Sequence, residues 1–300
     1  VLIAGPTASG KSALALDLAR RLDGVVVNAD SMQIYAGLRI VTARPSRQEE
    51  AQAPHRLYGH VDPARAFSVA DWLADAEAAL AEIRVAGRVA IFVGGTGLYF
   101  EALTNGLAAV PEIPAEVRAH WRAEAERIGA AGLFAELGRR DPAMAARLRP
   151  SDTQRLTRAL EVIAATGRSL ADWQAAPHSP PLVAAGRALR IVLEPERAEL
   201  HRRIARRFEA MVAEGAVEEA ASFVARGLAP EMPAMRAIGV AALAEVAAGR
   251  MSLAEGIERG IVETRRYAKR QSTWFRGRMG DWMRAATVEA ARGLIEAAPG

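Results

Sequence analysis

The 300-residue sequence contains no cysteine, which excludes disulfides, cysteine-ligated zinc and a thiol nucleophile and leaves only oxygen and histidine ligands for any metal. No apolar run reaches the roughly 18 residues that a membrane-crossing helix needs. A first strand starting at Val1 leaves no room for a leader, so a cytoplasmic location without membrane attachment is expected. No segment requires an obligate protein partner. Lysine is almost missing: Lys11 and Lys269 are the two lysines among 39 basic residues. A chain so biased toward arginine keeps lysine where a compact ammonium serves better than a planar guanidinium fork. The net charge of +4 suits a polyanionic partner, although arginine bias raises the isoelectric point equally.

What is present is a chain 51% hydrophobic, enough for a large α/β domain carrying an insertion. Val1 to Ala4 is a short apolar run before a glycine-rich turn, and Leu14, Leu18 and Leu22 then recur at helical spacing. Val25 to Val27 and Val89 to Val93 are β-branched runs ending at Asn28-Ala29-Asp30 and Gly94-Gly95. Short buried strands separated by helices predict a parallel, helix-covered sheet. From Pro114 to about Trp173 the pattern is helical, punctuated by Asp141-Pro142 and by Ser151 with Gln154 as a capping box. Ala176 to Gly186 reads as a linker, Ala188 to Leu193 as a strand. Helices are then expected at Glu196 to Glu214, Ala216 to Arg226, Met235 to Ala248 and Ser252 to Arg278, with Gly215, Gly227 and Gly249 as stops. The expected division is an α/β core over 1–112 and 186–300 and a helical insertion over 113–185.

Gly5-Pro6-Thr7-Ala8-Ser9-Gly10-Lys11-Ser12 fits GxxxxGK followed by serine, between a strand and a helix as a P-loop must be. Its backbone N–H groups would cradle diphosphate oxygens, Lys11 would neutralise them, and the Ser12 hydroxyl is placed to ligate Mg²⁺. A P-loop alone suggests a kinase or NTPase. Against an ordinary NTPase, the strand Val89 to Val93 offers no aspartate and runs into Gly94-Gly95-Thr96-Gly97. The carboxylate lies instead at Asp30, at the end of a strand where open α/β sheets bind ligands, although an aspartate there also serves as a helix N-cap. Near the C-terminus, Arg265, Arg266, Tyr267, Lys269, Arg270, Trp274, Phe275, Arg276 and Arg278 interleave cations with aromatics. Phosphate clamping and base stacking need that mixture, and so does a helix that docks through its aromatics.

The blocks Gly5 to Ser12, Ala29-Asp30-Ser31-Met32-Gln33-Ile34-Tyr35, Val93-Gly94-Gly95-Thr96-Gly97-Leu98-Tyr99, Asp152 to Val162 and Ala268 to Arg276 together resemble the tRNA dimethylallyltransferase family. The resemblance implies a P-loop NTPase-like core with a helical insertion domain that contacts tRNA. It implies that Gly5 to Ser12 hold the diphosphate of dimethylallyl diphosphate, with Mg²⁺ as cofactor. Asp30 would be the general base for an adenine N6 in the anticodon stem-loop, and Lys11 and Arg207 would act on the diphosphate, with Arg203 as the alternative to Arg207. For the RNA it implies contacts by Asp30, Ser31, Met32, Gln33, Thr96, Arg118, Gln154, Arg155, Leu156, Thr157, Arg158, Lys269 and Arg270. Two departures stand out. Val240 replaces the aromatic usual in the family, and Val41 precedes Thr42 where glycine is usual. A transferase acting on free adenine nucleotides would share the P-loop and Asp30 but would not need Arg155, Arg158 or Lys269.

Overall fold

The computed structural model describes residues 1–184 and 186–297. Ala185, which falls in the expected linker, and residues 298–300 lie outside the described residues. The chain forms two compact units, one from Val1–Thr104 together with the segment that starts at Leu182, the other Asn105–Pro181.

The first unit is built on six strands, β1 (Leu2–Ala4), β2 (Gly24–Asn28), β3 (His55–Arg56), β4 (Val89–Gly94), β5 (Arg190–Leu193) and β6 (Met283–Ala285), in the order β3-β2-β4-β1-β5-β6. Every pairing is parallel. The inner strands β1, β2, β4 and β5 read as nearly continuous apolar runs because both faces of the sheet are covered there. Leu2, Val25, Val27, Phe92 and Val192 enter one core, while Ile3, Val26, Ile91, Val93, Ile191 and Leu193 enter the other. This is the period of two that pleating imposes. Each fully buried aliphatic contributes about 1.5–3 kcal/mol.

The helices, in chain order, are α1 (Lys11–Arg21), α2 (Arg47–Glu50), α3 (Val69–Val85), α4 (Gly97–Asn105), α5 (Ala115–Arg140), α6 (Pro142–Ala145), α7 (Thr153–Thr166), α8 (Leu170–Ala175), α9 (Arg197–Ala213), α10 (Ala216–Val224), α11 (Val240–Ala247), α12 (Leu253–Arg278) and α13 (Val288–Glu296). Capping boxes start α3 at Ser68 with Asp71 and α12 at Ser252 with Glu255. The buried face of α12 carries Gly256, Gly260, Thr264, Ala268 and Gln271. Glycine admits the neighbouring helix closely: a Cβ on Gly260 would stand 1.9 Å from Phe208 Cζ on α9.

The second unit holds α5 to α8 around Trp121, Leu133, Leu137, Met144, Leu156 and Leu160. It starts earlier than residue 113 because the two chain passages pair. Ala108 bridges His178 in antiparallel fashion, and Ser179 donates its N–H to Leu107 O at 2.9 Å. The capping box expected at Ser151 is not formed. Asp152 caps α7 instead, its carboxylate accepting the Arg155 N–H at 3.2 Å. The single helix expected over Met235 to Ala248 is a 3₁₀ turn at Pro233–Arg236 followed by α11, since Gly239 takes φ 94° and breaks the run.

Candidate active site

The loop Gly5 to Ser12 joins β1 to α1, and Gly10 adopts φ 98° at the helix N-cap, a conformation that favours glycine. The N-terminus of α1 and its free N–H groups therefore face the loop, as anion binding requires. Lys11 Nζ donates to Pro6 O at 3.3 Å. Burial pushes the Lys11 ammonium down to about 8; Asp30 raises it and Arg207 lowers it further. Ser12 is exposed at the first turn of α1.

Two distant helices close on this loop. From α9, Arg203 Nη1 donates to Ser9 O at 3.2 Å and Arg207 Nη2 donates to the Thr7 hydroxyl. From α12, the Gln271 carbonyl accepts the Thr7 N–H at 2.9 Å. Burial lowers the Arg207 pKa, and Asp30 opposes that shift. Both arginines weighed from the sequence thus touch the P-loop. Arg206 makes no hydrogen bond to the loop; its side chain is 72% exposed and lies at the open rim of the cleft over Lys11 and Ser12.

Asp30 lies two residues beyond β2 and is oriented by Asn28, a wholly buried side chain. Asn28 Oδ1 accepts the Asp30 N–H at 2.9 Å, and Nδ2 donates to Asp30 O and Leu57 O, each at 3.0 Å. The Asp30 carboxylate accepts the Met32 N–H at 3.0 Å. The backbone carrying Asp30 crosses the end of β4 so closely that a Cβ on Gly94 would meet Ala29 O at 2.0 Å. Glycine is the residue this crossing allows. Next to it, Thr96, the residue before α4, turns its side chain to Ser31: its hydroxyl oxygen accepts the Ser31 N–H at 2.9 Å and the hydroxyl donates to Ser31 Oγ at 3.2 Å.

The result is a cavity of about 190 Å³ walled by Met32, Val41, Ile204, Phe208 and Met211, with Asp30, Arg207 and Tyr267 among its polar lining. A more open cleft of about 500 Å³ lies over Gly10, Lys11, Ser12 and Arg203, and Arg207 lines both spaces. One guanidinium therefore stands where an apolar chamber meets a cationic one.

The other residues expected to hold RNA are distributed unequally. Met32 lines the cavity. Gln33 spends its amide on Thr42 O and Ala43 O, at 2.8 and 2.9 Å. Lys269 and Arg270 are exposed on α12, with Arg270 over the Tyr267 ring at 5.5 Å. In the second unit Gln154, Arg155 and Arg158 share the exposed side of α7, and Arg118 is partly exposed on α5. Leu156 and Thr157 do not join them. At 0% and 9% exposure they face the core of that unit, because α7 turns them away from its charged side. Val240 is fully buried, which removes it as a surface contact. Val41 is also buried, and Glu219 of α10 accepts the N–H groups of Arg39, Ile40 and Val41 at 2.8, 3.0 and 2.7 Å, holding that turn without glycine. Asn28 and Glu219 escape a reading of motifs, and Gln271 lies inside the block Ala268 to Arg276 without a role assigned to it, since buried amides and carboxylates that hold backbone carry no pattern of their own.

A family model described as IPP transferase matches residues 33–278. The chain belongs to the IPP transferase family. A protein of Azorhizobium caulinodans named tRNA dimethylallyltransferase is 58% identical over 284 residues, 95% of this chain and 91% of its own. A solved tRNA isopentenylpyrophosphate transferase from Bacillus halodurans is 34% identical, with a TM-score of 0.69 over 98% of this chain and 94% of that one. A eukaryotic dimethylallyltransferase solved acting on tRNA superposes with a TM-score of 0.77 at 27% identity, covering 91% of this chain and 69% of that one. The family match begins at Gln33, so the P-loop stands on the sequence motif and the geometry above. The parallel sheet covered by helices is the architecture of this family. No helix among the described residues is long and apolar enough to cross a membrane.

Proposed function

We propose that this protein transfers the dimethylallyl group of dimethylallyl diphosphate to the N6 amine of an adenine next to the anticodon of tRNA, releasing diphosphate. The observation that carries the reading is the meeting of two chambers at Arg207: an apolar cavity lined by Asp30, and a cationic cleft over the P-loop. A prenyl diphosphate has that division of character. The names of the curated relatives point to the same reaction.

In the reaction the adenine N6 attacks the allylic C1, the C1–O bond breaks, and its electron pair leaves with the diphosphate. Asp30 accepts the N6 proton. Lys11, Arg203, Arg207 and the N–H groups of the loop stabilise the charge that grows on the leaving oxygens. The base must leave its stack to reach C1, which costs a few kcal/mol and least in a single-stranded loop. The residues present fit Mg²⁺ held mainly by the donor. Among the described residues no three His, Cys, Asp or Glu side chains cluster as a protein cage, whereas the Ser12 hydroxyl is exposed beside the cleft, and Mg²⁺ commonly binds through substrate phosphates with few protein ligands. Bound there, it would supply further charge neutralisation to the diphosphate. Arg155, Arg158, Lys269 and Arg270 would hold RNA phosphates, positioning the stem-loop without reading its sequence.

Incubation of the purified protein with radiolabelled dimethylallyl diphosphate and, in parallel, total tRNA, AMP or ATP tests the reading. Label in tRNA alone is expected. Label in AMP or ATP would move the assignment to free nucleotides, and no label anywhere would return the P-loop to phosphoryl transfer.

A further inference from the structure

Gln271 is 5% exposed on the inner face of α12 and makes two hydrogen bonds, one to each half of the site. Its carbonyl accepts the Thr7 N–H of the P-loop, and its NH₂ donates to Gly95 O in the turn after β4, both at 2.9 Å. The space that a Cβ on Gly95 would fill lies 2.0 Å from Gln271 Nε2 and 3.3 Å from Asp30 Oδ2. The amide therefore spans from the donor loop to the backbone beside the carboxylate. Its polarity is set from both ends: a backbone N–H needs an acceptor and a backbone carbonyl needs a donor, so rotating the amide by half a turn would lose both bonds.

We propose that Gln271 is a positioning residue that sets the register between the donor loop and the turn beside Asp30, and that an uncharged group with one acceptor and one donor is the chemistry this position requires. The proposal rests on the function given above, since the register concerns donor and base. Thr7 is clamped twice, by Gln271 through its N–H and by Arg207 through its hydroxyl, so the loop crown is fixed by α9 and α12 together. A glycine at position 95 leaves room for the amide to approach its carbonyl. Lysine or arginine at 271 would lack the acceptor, and an ionised carboxylate would lack the donor.

That last point supplies the test. A protonated carboxyl reproduces the amide, with its C=O accepting from Thr7 and its O–H donating to Gly95; an ionised one faces Gly95 O with a repelling oxygen. In Gln271→Glu the introduced group would be buried near Asp30 and Tyr267, with Arg207 on the same P-loop residue, Thr7, and Lys11 within the field of Asp30. Burial and the Asp30 charge raise its pKa, and the two cations oppose them. Single-turnover prenylation of tRNA at saturating donor, measured from pH 6 to 9 and divided by the wild-type rate at each pH, should stand within about threefold of wild type at the acid end. It should fall by about tenfold or more at the alkaline end, the scale of an unmet buried hydrogen bond. Gln271→Met, which loses both bonds at every pH, should show about a tenfold loss with a flat ratio. Melting curves at the same pH values identify variants that remain folded, and if Gln271→Glu does not fold, Gln271→Met alone decides. A flat ratio for folded Gln271→Glu, or wild-type rates in Gln271→Met, would overturn the proposal. Wild-type protein that prenylates no tRNA would instead overturn the function on which it rests.

Discussion

Asp30→Asn separates chemistry from binding more sharply than deletion of the side chain. The carboxylate accepts the Met32 N–H at 3.0 Å, and an asparagine oxygen can keep that bond, so the turn is retained while the basic oxygen becomes a non-basic NH₂. A general base contributes about 10²–10⁴-fold to the chemical step, equal to about 2.7–5.4 kcal/mol at 1.36 kcal/mol per decade. The single-turnover rate at saturating donor and tRNA should fall by that amount. Donor affinity should move the other way or not at all: Asp30 is an anion whose field reaches Lys11 and Arg207, so its removal takes a like charge from the neighbourhood of the diphosphate. Rapid-quench measurement of prenylated tRNA, with a donor titration followed by calorimetry, reads both quantities. A rate within tenfold of wild type would refute the role of Asp30 as base. A lost rate accompanied by equally weakened donor binding would show that the residue holds the site together and does not act on the proton.

Lys11→Met should raise the melting temperature of donor-free protein at pH 7 while abolishing donor binding. Burial holds the folded-state ammonium at about 8, below the ordinary lysine value of 10.5, so its destabilisation is fully present below pH 8 and is relieved as pH rises toward 10.5; the stabilisation by the variant should therefore be smaller at pH 10. By the same sign, wild-type donor affinity should weaken as pH rises through about 8, and titrations at pH 7 and 9 check it. Neutralising Lys269 and Arg270 together should weaken tRNA binding and lower the slope of log affinity against log salt by about 1 to 2, at roughly 0.9 per phosphate contact, with donor affinity unchanged; an unchanged salt slope would take this stretch of α12 out of the RNA interface. Gly94→Ala should cost about 1–3 kcal/mol in urea unfolding, the usual scale of overpacking, because the added methyl would meet Ala29 O at 2.0 Å.

The residues legible in the sequence were those whose chemistry demands a local pattern. A P-loop needs its glycines and lysine in consecutive order, and Asp30 stands out because it closes an apolar run. The Arg203 and Arg207 pair was legible as a helical face. Strands β3 and β6 were not, being two and three residues long at the sheet edges, too short for a periodic signal. Helix α3 carries a stripe at Trp72, Ala76, Ala79, Leu80 and Ile83 behind the pair Ser68 and Asp71, but alanine in a stripe reads weakly against an alanine-rich background. Leu156 and Thr157 show the opposite failure. A block matched as a whole carries along core positions that share its sequence but not its surface.

The placement of the carboxylate follows from the sheet. In an ordinary P-loop NTPase an aspartate ends the strand beside the P-loop strand and serves the metal. Here that strand is β4, paired with β1 from Leu2 opposite Phe92 to Ala4 opposite Gly94. Its end is crossed by the Ala29 backbone at a distance that excludes any side chain at Gly94. The chain after β2 stays paired beside β4, Ala29 donating its N–H to Val93 O at 2.8 Å and accepting the Thr96 N–H at 3.2 Å, while the buried Asn28 amide holds Asp30 O and Leu57 O and Asp30 lines the cavity shared with Arg207. The strand next to the P-loop strand thus ends in a position with no room for a carboxylate, and the strand beyond it carries one two residues after its end. A carboxylate in that position lies among Lys11 and Arg207 on one side and apolar walls on the other. Under the proposed reaction this carboxylate, and not one at the end of β4, is the group that would take the proton from an amine whose attack ends at carbon.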